Sequence, residues 1–242
     1  MACFCTTLNS MSTDNKTFVL SLGGSLVVPN GGIDTRFLIA FNTFIRNQIS
    51  SKKRRFFIVV GGGATTRHYQ AAARAVHGEI ENDDLDWIGI HSTRLNAHLL
   101  RIIFSDISHM HVLKHYEIIR KTDDPVVIAA GWKPGWSTDY CAITVCQDYG
   151  ITKIVNMTNI DKVYDKDPKK YPDAKPIDTI SWKAYKKMAG DKWIPGMNLP
   201  FDPIASKLAS ELGVTVKILN GKNLDNLAKA LDGKAFVGTT IA

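Results

Sequence analysis

Short apolar runs alternate with amphipathic stretches along almost the whole chain. Val19–Leu22, Phe57–Val60, His111–Leu113, Val126–Ala129, Lys153–Met157 and Thr215–Leu219 have strand length and are dominated by apolar side chains. Between them lie helical patterns: Thr35–Gln48 behind an N-capping Asp34, an alanine-rich Thr65–Val76, Asp139–Asp148, Pro203–Leu212 and Leu224–Leu231. A longer helix is expected from about Asp86 to Ile103, where Ile88, Leu95, Leu99, Ile102 and Ile103 recur at helical spacing. Pro168, Pro172 and Pro176 mark an extended stretch with little regular structure. Regular alternation of this kind predicts an α/β fold, with a mostly parallel central sheet covered by helices on both faces. There is no internal repeat. A division near residue 150 is compatible with the pattern, although no flexible linker marks it.

Two of the strand-like runs end in glycine turns. Phe18-Val-Leu-Ser-Leu22 leads into Gly23-Gly24-Ser25, and Phe56-Phe-Ile-Val-Val60 into Gly61-Gly62-Gly63, with Ala64-Thr65-Thr66-Arg67 opening the next helix. Consecutive glycines let backbone N–H groups come up to an anion, and the helix that follows adds free N–H groups and the positive end of its dipole. Two such turns suggest two sites for phosphate-bearing molecules. Neither is a Walker A loop, and Thr66 stands where a dinucleotide fingerprint has its third glycine. Arg67, one turn into its helix, can reach an anion held at the helix start.

Three more segments carry candidate chemistry. Gly131-Trp-Lys-Pro-Gly-Trp-Ser-Thr-Asp139 combines two tryptophans, a lysine and two hydroxyls, suited to closing over a base or a sugar phosphate or, more simply, to capping the next helix. Asn156-Met-Thr-Asn-Ile-Asp-Lys-Val-Tyr-Asp-Lys-Asp-Pro168 leaves a strand end, where open α/β sheets bind ligands, and carries Asp161, Asp165 and Asp167 beside Tyr164. Asp202-Pro203 reads as an N-cap with proline at N1, and Lys207 follows on the same helix.

Composition narrows the classes. Of the 242 residues 45% are hydrophobic and 22% charged, as in a globular protein, and no apolar run approaches the length of a membrane span. The net charge of +7 comes from scattered residues. Its one dense cluster, Lys52-Lys53-Arg54-Arg55, reads as a solvated loop between a helix and a strand. Cys3, Cys5, Cys141 and Cys146 have no zinc-site spacing and are expected as reduced thiols. Residues 1–16 are expected to form a disordered tail, because Met1–Asn15 lack periodicity and fit neither a secretory signal nor a transit peptide.

Seven blocks, in order, resemble the amino-acid kinase superfamily, and within it the archaeal-type uridylate (UMP) kinase branch. They are Gly23-Gly-Ser-Leu-Val-Val-Pro29; Val60-Gly-Gly-Gly63 with Arg67; Asp86-Trp-Ile-Gly-Ile90 with Thr93-Arg-Leu-Asn-Ala97; and Pro134-Gly135 with Ser137-Thr-Asp139. Then follow Thr158-Asn-Ile-Asp161 with Val163-Tyr164 and Asp167-Pro168, Asp202-Pro-Ile-Ala-Ser-Lys207, and Gly238-Thr-Thr-Ile241. The resemblance implies a three-layer αβα sandwich in a single domain over 17–242, with the acceptor bound by about 17–150 and ATP by about 151–242. It implies that Gly62, Asp86, Trp132, Lys133, Pro134, Gly135, Trp136, Ser137 and Thr138 hold an acceptor nucleotide. Gly24, Ser25, Gly63, Arg67, Thr158, Asn159, Tyr164 and Asp167 would hold ATP. Asp161, Asp202 and Lys207 would form the catalytic group, with Mg2+ as cofactor and no dedicated protein metal site. It further implies a cytoplasmic homo-oligomer, a hexamer by analogy, that takes small nucleotides as partners and neither nucleic acid nor a membrane.

The chain also departs from the pattern. Ser21 stands where many superfamily members carry a lysine and archaeal-type uridylate kinases often an acid. Ala130-Gly131-Trp132 replaces Gly-Gly-Thr in the acceptor loop, and Trp193-Ile-Pro-Gly-Met-Asn-Leu-Pro200 is unlike the small-residue loop expected before Asp202. Phosphorylation of UMP by ATP is the first reading. A same-fold kinase for another small phosphate or carboxylate acceptor, and a non-catalytic ATP-binding or storage relative, stay open at this point.

Overall fold

The computed structural model describes residues 16–168, 170–190 and 200–242. The expected N-terminal tail with Cys3 and Cys5, and nearly all of the Trp193–Pro200 segment, lie outside the described residues.

The elements run β1 (Thr17–Leu22), α1 (Gly24–Val27), α2 (Thr35–Lys52), β2 (Arg55–Val60), α3 (Gly63–His77), α4 (Asn82–Ile103), β3 (Val126–Ala129), α5 (Thr138–Tyr149) and β4 (Lys153–Thr158). The chain continues with β5 (Val163–Tyr164), β6 (Pro176–Ile177), β7 (Thr179–Ile180), α6 (Trp182–Ala189), α7 (Pro203–Glu211), β8 (Thr215–Asn220), α8 (Leu224–Leu231) and β9 (Thr239–Ile241). Seven strands form one sheet in the order β3-β2-β1-β4-β8-β9-β7; all its pairings are parallel except β8 with β9. β5 and β6 make a separate antiparallel pair.

Residues of β1 to β4 are buried on both faces, which is why these apolar runs read as continuous. Phe18, Leu20, Leu22, Phe56, Ile58 and Val60 face a core that takes in Phe41, Leu100 and Leu227 from α2, α4 and α8. Val19, Phe57 and Val59 face the opposite core, with Ile143, Tyr185 and Ala205 from α5, α6 and α7. Helices on each side of one sheet make the three layers. Helix starts follow the expected caps: Asp34 accepts from Phe37 N at 3.0 Å, and Asp202 from Ile204 N and Ala205 N at 2.6 and 2.9 Å.

Two expectations need correction. His111–Leu113 forms no strand; Leu113 makes a single parallel bridge to Ala129, at the edge of the sheet. The basic cluster is no solvated loop. Lys52 ends α2, Arg55 begins β2, and Arg54 is buried, bonded to Gln48, the Leu231 carbonyl and Asp232. The stretch marked by Pro168, Pro172 and Pro176 has little regular structure before the short β6, as expected, and β7 and α6, capped by Ser181, follow it. Cys141 and Cys146 are free thiols buried on α5.

Candidate active site

β2 lies on one side of β1 and β4 on the other, so the connections leaving β1 and β4 diverge at their C-terminal ends. Such a switch point leaves a crevice where open parallel sheets bind ligands. Both glycine turns, the loop after β3 and the segment after β4 open at this edge.

The two turns touch. An ideal Cβ on Gly24 would lie 2.2 Å from Gly63 N and 2.5 Å from Gly61 C, and one on Gly63 would lie 2.4 Å from Gly24 O. Glycine is required because the backbones themselves are in contact, and Gly63 also takes φ +68°. The two glycine turns, each expected to serve a phosphate-bearing molecule, therefore form one continuous surface. Across it the N–H groups of Gly24, Gly62 and Gly63 donate to no protein group among the described residues. Arg67 borders this surface, donating to Ser25 Oγ at 3.3 Å and to Asn30 Oδ1 at 3.0 Å. Beside Gly62 the buried Thr66 Oγ1 has no hydrogen-bond partner, and Asn96 donates to the Gly61 and Gly62 carbonyls.

The loop after β3 is anchored by α4. Thr93 Oγ1 accepts from Gly131 N at 2.9 Å, Arg94 donates to the Gly131 and Trp132 carbonyls, and Asp86 Oδ2 accepts from Gly135 N at 2.8 Å. Burial raises the Asp86 carboxyl pKa against that bond, and Asp83 adds to the rise. Trp132 and Trp136 are not open stacking platforms. Their rings meet edge to face at 4.7 Å, Trp136 meets Tyr140 at 4.5 Å, and Tyr116 packs against both indoles. Lys133 Nζ stands 4.0 Å from the Trp132 ring centroid, leaving its charge at the loop surface. Pro134 lies between them, Ser137 caps α5 by accepting from Tyr140 N at 3.0 Å, and Thr138 is the first helical residue.

On the other side, β4 ends at Thr158, whose hydroxyl accepts from Ile160 N at 3.1 Å. Asp161 Oδ1 accepts from Asn220 Nδ2 at 3.0 Å, and both line an open cleft of about 500 Å³ with Lys222, Asn223, Leu224 and Asp225. Asn159 and Asp167 are exposed nearby in sequence, and Tyr164 is half-buried in β5. The three expected catalytic residues do not form one hydrogen-bonded cluster among the described residues. Asp161 belongs to the cleft, Asp202 is buried at the start of α7, and Lys207 is exposed on that helix.

What meets Asp202 instead is Asp139. Asp139 Oδ1 accepts from Ser21 Oγ at 3.1 Å and, more weakly, from Asn156 Nδ2 at 3.5 Å; Oδ2 accepts from Asp202 N at 3.2 Å. Ser21 and Asn156 are register partners on β1 and β4, so the carboxyl sits over the switch point. Burial, and then the Asp202 charge, push the Asp139 pKa up to about 7, while the bonds from Ser21 and Asp202 N pull the other way. Asn156 also donates to the Pro200 carbonyl, and Tyr185 OH exchanges hydrogen bonds with Phe201 N and O, which fixes the entry to α7. In the sequence Asp139 stands as one of the residues able to cap the next helix and as the end of the Ser137-Thr-Asp139 block, with no role of its own. Ser137 fills that role, and a carboxylate left over one position into the helix is the available signal.

Comparison with known proteins accords with this geometry. Residues 16–220 match the Amino acid kinase family. The uridylate kinase of Thermoplasma volcanium is 34% identical over 229 residues, covering 94% of this chain and 98% of that protein. The uridylate kinase of Methanocorpusculum labreanum is 30% identical over 226 residues, covering 92% and 94%. The crystal structure of uridylate kinase from Archaeoglobus fulgidus superposes with a TM-score of 0.77 at 30% identity, covering 93% of this chain and 99% of that one. A match over most of the sequence and the same arrangement of strands and helices leave one assignment: this chain belongs to the amino acid kinase family.

Proposed function

We propose that the protein transfers the γ-phosphoryl group of ATP to UMP, forming UDP and ADP. The observation that carries this reading is the continuous glycine surface at the switch point, with unpartnered N–H groups on Gly24, Gly62 and Gly63 between a nucleotide-sized cleft and the α4-anchored loop. The likeness to uridylate kinases over more than nine-tenths of the chain supports it and selects UMP as the acceptor.

In this reading ATP lies on the side of Thr158, Asn159, Asp161, Tyr164 and Asp167, with its phosphates over Gly24, Ser25, Gly63 and Arg67. UMP lies on the side of Gly62, Asp86 and residues 132–138. The second oxygen of Asp86 is available to a sugar hydroxyl, and Lys133 supplies positive charge at the loop surface. An oxygen of the UMP phosphate attacks the γ-phosphorus in line, the bond to the β-bridging oxygen breaks, and ADP departs with that electron pair. The protein supplies positioning and charge: the glycine N–H groups, Arg67 and Lys207 hold the spread negative charge, together worth several aligned contacts of about 3 kcal/mol each. Among the described residues no group of three or more His, Cys, Asp or Glu side chains could hold a metal ion. Mg2+ would arrive with ATP and neutralise phosphate charge, and the carboxylates on the ATP side, Asp161 and Asp167, are the residues that could hold it.

Trp87, Leu95 and Ile102 recur on the outer face of α4 and are 41%, 65% and 61% exposed, which supports a homo-oligomer. A cytoplasmic location is part of the same proposal and rests on the family resemblance; no helix among the described residues is long and apolar enough to cross a membrane. The test is ADP release from Mg-ATP across UMP, CMP, dUMP, AMP, isopentenyl phosphate, carbamate, glutamate and aspartate. Stimulation by UMP alone is expected. Stimulation by another acceptor moves the substrate, and ATP binding without any stimulated release refutes phosphoryl transfer.

A further inference from the structure

Four consecutive N–H groups leave β2 at the second glycine turn, and they divide into two kinds. Gly61 N donates to the Leu22 carbonyl at 2.9 Å and Ala64 N to the Val28 carbonyl at 2.8 Å, so both ends of the turn are tied down. Between them, Gly62 N and Gly63 N donate to no protein group among the described residues. The backbone says where those two groups point. Gly62 is right-handed, with φ −81° and ψ −24°, and Gly63 is left-handed, with φ +68°. A right-handed residue followed by a left-handed one turns successive N–H groups into one concavity, an arrangement that cradles anions. Glycine permits this shape but does not hold it, because it adopts many others as readily.

The buried Asn96, on α4, supplies the hold. Its Nδ2 donates to the Gly61 carbonyl at 2.8 Å and to the Gly62 carbonyl at 3.2 Å. Across a trans peptide the C=O and the following N–H point in opposite directions. Carbonyls of Gly61 and Gly62 fixed toward α4 therefore aim the N–H groups of Gly62 and Gly63 away from it. We propose that Asn96 is the positioning residue of this anion cradle, setting two peptide planes with one amide and touching no nucleotide itself. An amide suits the task because its NH2 offers two donors; an ionised carboxylate has none. The proposal deepens the phosphotransferase reading, on which its kinetic part rests. The same helix carries Asp86, Thr93 and Arg94, which hold the loop after β3. One helix thus sets the cradle relative to the acceptor loop. Asn96 governs where the transferring phosphoryl group sits, while the other α4 residues govern how UMP is held.

Two measurements test this. The first needs no turnover: inorganic tripolyphosphate is titrated calorimetrically into wild type and Asn96→Leu, and backbone amide exchange is followed with and without it. Wild type is expected to bind, with exchange slowed at Gly62 and Gly63. Asn96→Leu should bind about tenfold more weakly and lose that protection. Equal affinity in the two proteins, or exchange at Gly62 and Gly63 of wild type untouched by tripolyphosphate, overturns the proposal whatever the enzyme phosphorylates. If Asn96→Leu does not fold, Asn96→Asp, which keeps the shape and loses the donors, is read by the same criteria. The second is steady-state kinetics. Asn96→Leu should lower kcat about tenfold or more while KM for UMP stays within about threefold, since Asp86, Thr93 and Arg94 still hold the acceptor loop. An unchanged kcat, or a rise in KM alone, refutes the positioning role. Tripolyphosphate binding that depends on Asn96, in a protein that phosphorylates no acceptor, supports the cradle and refutes the transfer reading.

Discussion

Replacing Asp139 by Asn should make the protein's stability less sensitive to alkali, by an amount that follows from the enclosure of the carboxyl. The group ordinarily titrates at 3.8 and is pushed up to about 7 in the fold. The folded state therefore binds the proton more tightly than the unfolded chain. The associated stability is complete below the unfolded value and is lost as pH rises through about 7. Three pK units correspond to about 4 kcal/mol in all, of which more than half falls between about pH 5 and about pH 8. The amide of the variant carries no such proton. Any hydrogen bond it loses or gains beside Ser21 and Asp202 contributes equally at every pH, so only the slope matters. Asp148, raised to about 6 by burial, tilts both proteins alike and cancels in the comparison. Urea unfolding of both proteins across that range gives the difference in ΔG directly. The variant should gain on wild type by roughly 2 kcal/mol from the acid to the alkaline end. A difference independent of pH would refute an enclosed, proton-holding Asp139.

Lys207→Ala should lower kcat about a hundredfold, with an unchanged urea midpoint, because an exposed cation on α7 acts on charge developing at the phosphoryl group rather than on packing; unchanged turnover removes Lys207 from the mechanism. Arg54→Ala should destabilise the fold by about 2 kcal/mol in urea titrations, since it leaves the Leu231 carbonyl without its donor and leaves Asp232, whose carboxyl pKa the Arg54 bond holds low, with only the more distant Lys52 and Lys234; a loss below about 0.5 kcal/mol would mean the cluster is solvated after all. Asp86→Ala should raise KM for UMP about tenfold while leaving KM for ATP alone, because the Gly135 N–H bond that shapes the acceptor loop is lost; equal effects on both nucleotides would contradict the assignment of the two sides.

The strands and longer helices were legible because the apolar runs of β1 to β4 are buried on both faces, and because Asp34 and Asp202 cap their helices through the bonds their residue types predict. What escaped lacked a local signal. β7 has two residues and β9 three, too few for any periodicity, and their partners lie far along the chain. His111–Leu113 has strand-like composition, yet Leu113 pairs at one bridge only. Arg54 reads as one charge in a basic run until Asp232, 178 residues away, is brought beside it. The functional blocks were legible as types of residue. Their grouping was not: Ser21, Asp139 and Asp202 are separated by 118 and 63 residues, and only the crossing of β1, α5 and α7 unites them. The glycines told of close approach without telling that the thing approached was the other turn.

The Arg54 clasp and the Asp139 junction lie at opposite ends of the strands. Arg54, at the start of β2, grips the end of α8; Asp139, over the far ends of β1 and β4, grips the start of α7. Between them β1 and β4 are joined rung by rung. The two grips are thus tied through the backbone ladder, so a pull on the start of α7 at one rim is passed along the paired strands toward the end of α8 at the other.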